Sequence, residues 1–215
     1  MLMDNPQMEK NACPLVLLVS LGLMLTCHTP GQTFKTLHNF TESDGASPGA
    51  GLILSGNTLY GTAQDGGGSG SGTVFALNTD DTGFRTLHSF MAPANGDGAF
   101  PKSRLLLSGN TLYGTAPTGG SSDQGTVFTV NTDGTGFRTL HGFTNSDGAY
   151  PSAGLILSGN TLYGTAQHGG SSGGGTVFAL TTNGTGFTIL HSFTDDFYKG
   201  DANGDGANPS ARLVL

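Results

Sequence analysis

Tryptophan is absent from this chain, cysteine occurs only twice, and 11% of the residues are charged. Both cysteines, Cys13 and Cys27, fall near the N-terminus. The remaining chain can form no disulfide, so its stability must come from strand pairing and apolar packing. Basic residues are scarce, with 8 Lys and Arg against 15 Asp and Glu and a net charge of −7. No basic stretch could neutralise phosphates, which excludes nucleic acid as a partner. Apolar periodicity of the helical kind is missing over any useful length. The longest apolar run, residues 14–25, holds twelve residues. A bilayer span needs about twenty. Beyond the leader the one glutamate is Glu42. No paired carboxylates, cysteine nucleophile or serine in a nucleophile context stand out, so the chain shows no catalytic constellation.

What is present begins with that apolar run. It follows Lys10 and precedes the small residues Thr29 and Gly31, the pattern of a signal peptide spanning residues 1–31. Met8 is an alternative start. Cys27 follows Thr26, a poor residue before a lipidated cysteine, so the leader reads as cleaved rather than lipidated. The expectation is a mature chain, 32–215, that is secreted or held at the cell surface and has no membrane span.

Glycine, at 37 residues, marks an array of tight turns. The motif GNTLYGTA starts at Gly56, Gly109 and Gly159, and GTVF starts at Gly72, Gly125 and Gly175. The pattern F-x-x-L-H-x-F starts at Phe34, Phe84, Phe137 and Phe187, so tandem units start near 34, 84, 137 and 187. Each unit reads as four strands, rich in the β-branched and aromatic residues that favour pleated surfaces. Gly-Asn pairs at 56–57, 109–110 and 159–160 supply two-residue hairpin turns. Four antiparallel strands in about fifty residues is the size of a propeller blade. The expected fold is all-β, a propeller-like array of blades. The order of motifs also looks kelch-like, without the kelch tryptophan.

The combination LYGTA, GG, GTVF, DGTGF and LHxF is similar to the GloVer tandem repeat found in exported bacterial proteins. The resemblance covers residues 32–215 and implies an exported bacterial protein with a propeller-like fold. It implies no assigned activity. The motif copies add to fourteen strands, about three and a half blades, which predicts an open arc rather than a closed ring. Such an arc is expected of a fragment of a longer repeat protein, or of two chains completing one ring, and open strand edges favour self-association.

Four histidines, His38, His88, His141 and His191, share one repeat position. Facing an axis they could ligate a metal. A residue in every unit is more often a packing or hydrogen-bonding element. Tyr60, Tyr113 and Tyr163 also recur, and core packing is the simpler reading than sugar stacking. The glycine-rich loops at 64–72, 117–125 and 167–175 keep one length. A strand follows each of them, so they are not P-loops. The loop after each LHxF varies, with seven residues at 41–47, ten at 91–100, seven at 144–150 and fifteen at 194–208. Insertions in repeat proteins gather on the binding face. Every copy contains Asp-Gly, with Asp44, Asp97, Asp147 and Asp205, and the plain reading of these is an Asx turn. The longest copy carries Asp201, Asn203 and Asp205, the first half of a calcium loop, but Arg212 replaces its acidic twelfth residue. No other cofactor is expected.

These features predict a non-catalytic exported scaffold that binds an extracellular protein or glycan through the variable loops. One alternative is a piece of a carbohydrate-active propeller enzyme whose catalytic blades lie elsewhere. Another is a structural or adhesive surface protein.

Overall fold

The computed structural model describes residues 34–91, 96–194 and 205–214. The signal-peptide segment, and Asp201 and Asn203, lie outside the described residues. Residues 36–215 cluster as one compact unit. They carry three four-stranded antiparallel sheets, and the described residues contain no helix. Blade 1 holds β1 (Ile53–Ser55), β2 (Thr58–Ala63), β3 (Thr73–Asn78) and β4 (Arg85–Ser89). Blade 2 holds β5 (Leu106–Ser108), β6 (Thr111–Ala116), β7 (Thr126–Asn131) and β8 (Arg138–Gly142). Blade 3 holds β9 (Ile156–Ser158), β10 (Thr161–Ala166), β11 (Thr176–Thr181) and β12 (Thr188–Ser192). In every blade the strands pair in chain order.

The sheets run one strand out of phase with the sequence unit. The LHxF strand closes the sheet of the preceding unit, so β4 belongs with β1–β3. Three complete blades therefore use twelve of the fourteen expected strands. The two remaining copies, at 36–40 and 211–214, form no strand. No sheet closes on itself among the described residues.

Alternation along the strands gives each blade two faces. Tyr60, Val74 and Ala76 of blade 1 meet Leu105, Leu112, Phe128 and Val130 of blade 2 in one core. Tyr113 and Val127 of blade 2 meet Leu155, Leu162, Phe178 and Leu180 of blade 3 in the next. The glycine of LYGTA is required by this packing. A Cβ on Gly114 would lie 2.5 Å from Phe128 Cζ and 2.9 Å from Leu105 Cδ2.

The fourth strand of every blade carries a bulge. Val74 pairs with His88 and Phe75 with Thr86, so Leu87 is the extra residue. Leu140 and Leu190 hold the same place in blades 2 and 3. A bulge re-aims the side chains beside it. Here it turns Leu87, His88 and Phe90 together toward the following blade.

The outer faces of the array lack such cover. The back of blade 1 forms a groove of about 290 Å3 lined by Leu37, Phe40, Leu52, Leu59, Phe75 and Leu77. At the front of blade 3, Leu190 is 54% exposed, whereas Leu87 is 6% exposed. The short first strands converge on a common axis. Ile53, Leu54, Leu105 to Leu107 and Arg212 line one cavity, and Leu106, Ile156, Leu157 and residues 212–214 line another.

Candidate functional site

The two positions that recur in every unit, the LHxF histidine and the Asp-Gly aspartate, meet in the structure. His38 Nε2 lies 3.0 Å from Asp44 Oδ2, and His88 Nε2 lies 3.2 Å from Asp97 Oδ2. His141 Nε2 lies 3.1 Å from Asp147 Oδ2, and His191 Nε2 lies 3.3 Å from Asp205 Oδ2. The carboxylate also takes the backbone N–H that follows the LHxF phenylalanine. Thr41 N donates to Asp44 Oδ1 at 2.9 Å and Thr144 N to Asp147 Oδ1 at 2.9 Å. Met91 N donates to Asp97 Oδ2 at 3.1 Å, and Thr194 N donates to Asp205 Oδ1 at 3.2 Å. This corrects the Asx-turn reading of Asp44, Asp97, Asp147 and Asp205. An Asx turn serves the amide two residues later, but these carboxylates reach back to an earlier amide and to a histidine. True Asx turns occur elsewhere, where Asp80 accepts Thr82 N and Asp133 accepts Thr135 N.

The pairs of His88 and His141 sit at the two junctions between blades, whereas His38 lies against blade 1 and His191 on the exposed front of blade 3. His88 stacks on Phe137 of blade 2 with centroids 3.4 Å apart, and meets Phe90 edge-on at 4.8 Å. His141 stacks on Phe187 of blade 3 at 3.7 Å. The Asp main chain is held as well. Thr73 Oγ1 donates to the Asp44 carbonyl at 3.2 Å, and Thr126 Oγ1 to that of Asp97 at 3.3 Å. A further bridge pairs Ala46 with Asp65, Ala99 with Thr118 and Ala149 with His168. The Asp-Gly loops and the glycine-rich loops therefore share one end of the array. Phe100 N then donates to the Ser71 carbonyl of the previous blade at 2.8 Å, and Tyr150 N to that of Gln124 at 2.9 Å.

Burial pushes the imidazoles of His88 and His141 below the usual histidine range, against the pull of Asp97 and Asp147. Burial alone would raise the Asp44 carboxyl. The Thr41 amide and His38 outweigh it and hold that group below its usual value. The sign of the pH dependence follows. Below about pH 6.5 the unfolded chain takes protons that the folded histidines refuse. Stability contributed by neutral His88 and His141 is thus full above that pH and is lost as pH falls below it. The Asp44 contribution is full above pH 3.8 and is lost in stronger acid. The melting temperature is expected to fall between pH 7 and pH 5, and the His88→Gln/His141→Gln variant is expected to show a shallower fall over that interval. An unchanged slope would remove these histidines as its source.

His88, His141 and His191 lie on the fourth strands, at the opposite sheet edge from the short first strands, and His38 holds the matching place before blade 1. Among the described residues, no three His, Cys, Asp or Glu side chains group as a metal site requires. Of the three calcium-loop residues, Asp205 faces His191 and Thr194. Tyr60 and Tyr113 pack in the cores between blades, each 7% exposed, and Tyr163 holds the same position on the less covered front of blade 3. Among the described residues no helix is long and apolar enough to cross a membrane.

Four-stranded antiparallel sheets packed face to face through shared cores define a propeller-type array of blades. The chain matches the Gloeobacter/Verrucomicrobia repeat over residues 19–215 and belongs to that family. No curated protein matches it. Among solved structures, it is similar to TolB from Acinetobacter baumannii, at 16% identity and a TM-score of 0.47, covering 73% of this chain and 34% of that one. The nidogen/laminin complex is similar at 17% identity and a TM-score of 0.44, covering 63% and 44%. A europium-containing methanol dehydrogenase is similar at 14% identity and 0.45, covering 68% and 26%. The chain spans less than half the length of each.

Proposed function

We propose that this chain is a non-catalytic, exported binding scaffold that holds a protein or glycan on the face carrying the Asp-Gly loops. Support comes from where the loop length varies. The His–Asp clamp ties the residue after LHxF to the Asp-Gly aspartate in every copy. Between the clamped residues lie 42–43, 92–96, 145–146 and 195–204, which are two, five, two and ten residues. All the length variation falls inside the clamp, and the frame outside it stays constant. Variable inserts on a rigid frame are how binding surfaces diversify without loss of fold.

The test replaces 92–96 and 195–204 with the two-residue Asn-Ser insert of 145–146. The clamp remains, so the melting temperature is expected to stay within a few degrees. Binding to glycan arrays and to extracellular protein extracts is expected to fall to background. Binding that survives the shortening would refute the loop-face reading. Hydrolysis of any arrayed glycan by the parent chain would favour a carbohydrate-active enzyme instead.

A further inference from the structure

One position breaks the likeness of the repeats in a regular way. The residue before the first leucine of the inner segment is Gly51, Arg104, Gly154 and Arg212 in successive copies. Each arginine stem lies against the glycine of the preceding copy. A Cβ on Gly51 would lie 3.6 Å from Arg104 Cδ, and one on Gly154 would lie 3.6 Å from Arg212 Cδ. Both distances are ordinary van der Waals contact, so the stem packs on the glycine backbone. Both arginines thereby reach a single axial cavity of about 330 Å3, walled by Ile53, Leu54, Leu105, Leu106 and Leu107.

Two of the four arginines in a chain of net charge −7 are thus gathered at one place. Arg212 Nε donates to the Leu155 carbonyl at 3.3 Å, which leaves its terminal nitrogens available. Neither arginine has a carboxylate within ion-pair distance among the described residues. Both arginines are exposed, and guanidinium groups bind carboxylates in a bidentate manner. Pockets of this size that join apolar walls to a few convergent polar groups are typical small-ligand sites.

We propose that this axial cavity binds an amphipathic monocarboxylate. Arg104 and Arg212 hold the carboxylate, and the apolar body lies against Ile53, Leu105 and Leu107. The arginines stand at the starts of the inner segments, the end of the axis to which the Asp-Gly loops deliver the chain. The site is nevertheless distinct from the loop inserts and does not depend on them.

Calorimetric titration of the full chain at low salt with hexanoate, 1-hexanol and inorganic phosphate tests the proposal. Hexanoate is expected to bind saturably, and each of the other two at least about tenfold more weakly, because each lacks one half of the recognition. Arg104→Gln and Arg212→Gln are each expected to weaken hexanoate about tenfold or more, with unchanged melting temperatures. Arg138→Gln, on the outer strand β8, is expected to leave hexanoate binding as it was. The proposal is overturned if hexanoate fails to saturate at millimolar concentration. It is also overturned if binding persists in the double Arg104→Gln/Arg212→Gln variant, or if phosphate or hexanol binds as tightly as hexanoate.

Discussion

Phe128→Ala is expected to lower the free energy of unfolding by about 3–5 kcal/mol. Phe128 is fully buried at the junction of blades 1 and 2. Its ring meets Phe90 edge-on at 5.1 Å and Phe137 at 5.8 Å. It also fills the space over Gly114 that any side chain there would occupy. Truncation removes the transfer energy of the ring and leaves a cavity between two sheets, which can collapse only if the blades shift. Domains are stable by only about 5–15 kcal/mol, so the loss is a large share of the whole. Urea unfolding should show a lower midpoint with an unchanged slope. A loss under about 1 kcal/mol would mean that this junction is not a core.

Leu140→Ala and Leu190→Ala should differ sharply, although both residues are the bulged leucine of LHxF. Leu140 is 8% exposed beneath blade 3, and Leu190 is 54% exposed at the front of blade 3. The glycine turn of the next blade lies over this position, with the place of a Gly184 Cβ 3.1 Å from the Leu140 carbonyl. Leu140→Ala is expected to cost about 2–4 kcal/mol and Leu190→Ala less than about 1 kcal/mol. Equal costs would show that the leucine is not buried by the following blade. The pair serves as an internal control, because the local sequences are nearly the same and only the cover differs.

Much of this was legible in the residues. The Gly-Asn turns at 56–57, 109–110 and 159–160 join strands as expected, because few residues tolerate the positive φ such turns need. The blade order followed from the repeat. The phase did not, because a tandem repeat has no intrinsic starting point, and only hydrogen bonding assigns LHxF to the preceding sheet. The bulge at Leu87, Leu140 and Leu190 was invisible, since an extra residue in one strand changes register without changing composition. The histidines and the aspartates are each legible as repeat positions, but not as partners. Their spacing runs from six residues at His38 and Asp44 to fourteen at His191 and Asp205, which hides a fixed contact behind a variable loop. The signal available was that one His and one Asp-Gly occur together in all four copies.

The groove on the back of blade 1 and the exposed leucine face of blade 3 are unlike surfaces on a single chain. Inside the array, surfaces of these two kinds are packed against each other twice, at the junctions of blades 1 and 2 and of blades 2 and 3. Contact between copies through them is therefore head-to-tail by construction. A twofold-symmetric dimer would instead have to place like on like. An assembly built on them has polarity, and the turn per copy decides whether it closes into a ring or extends as a filament.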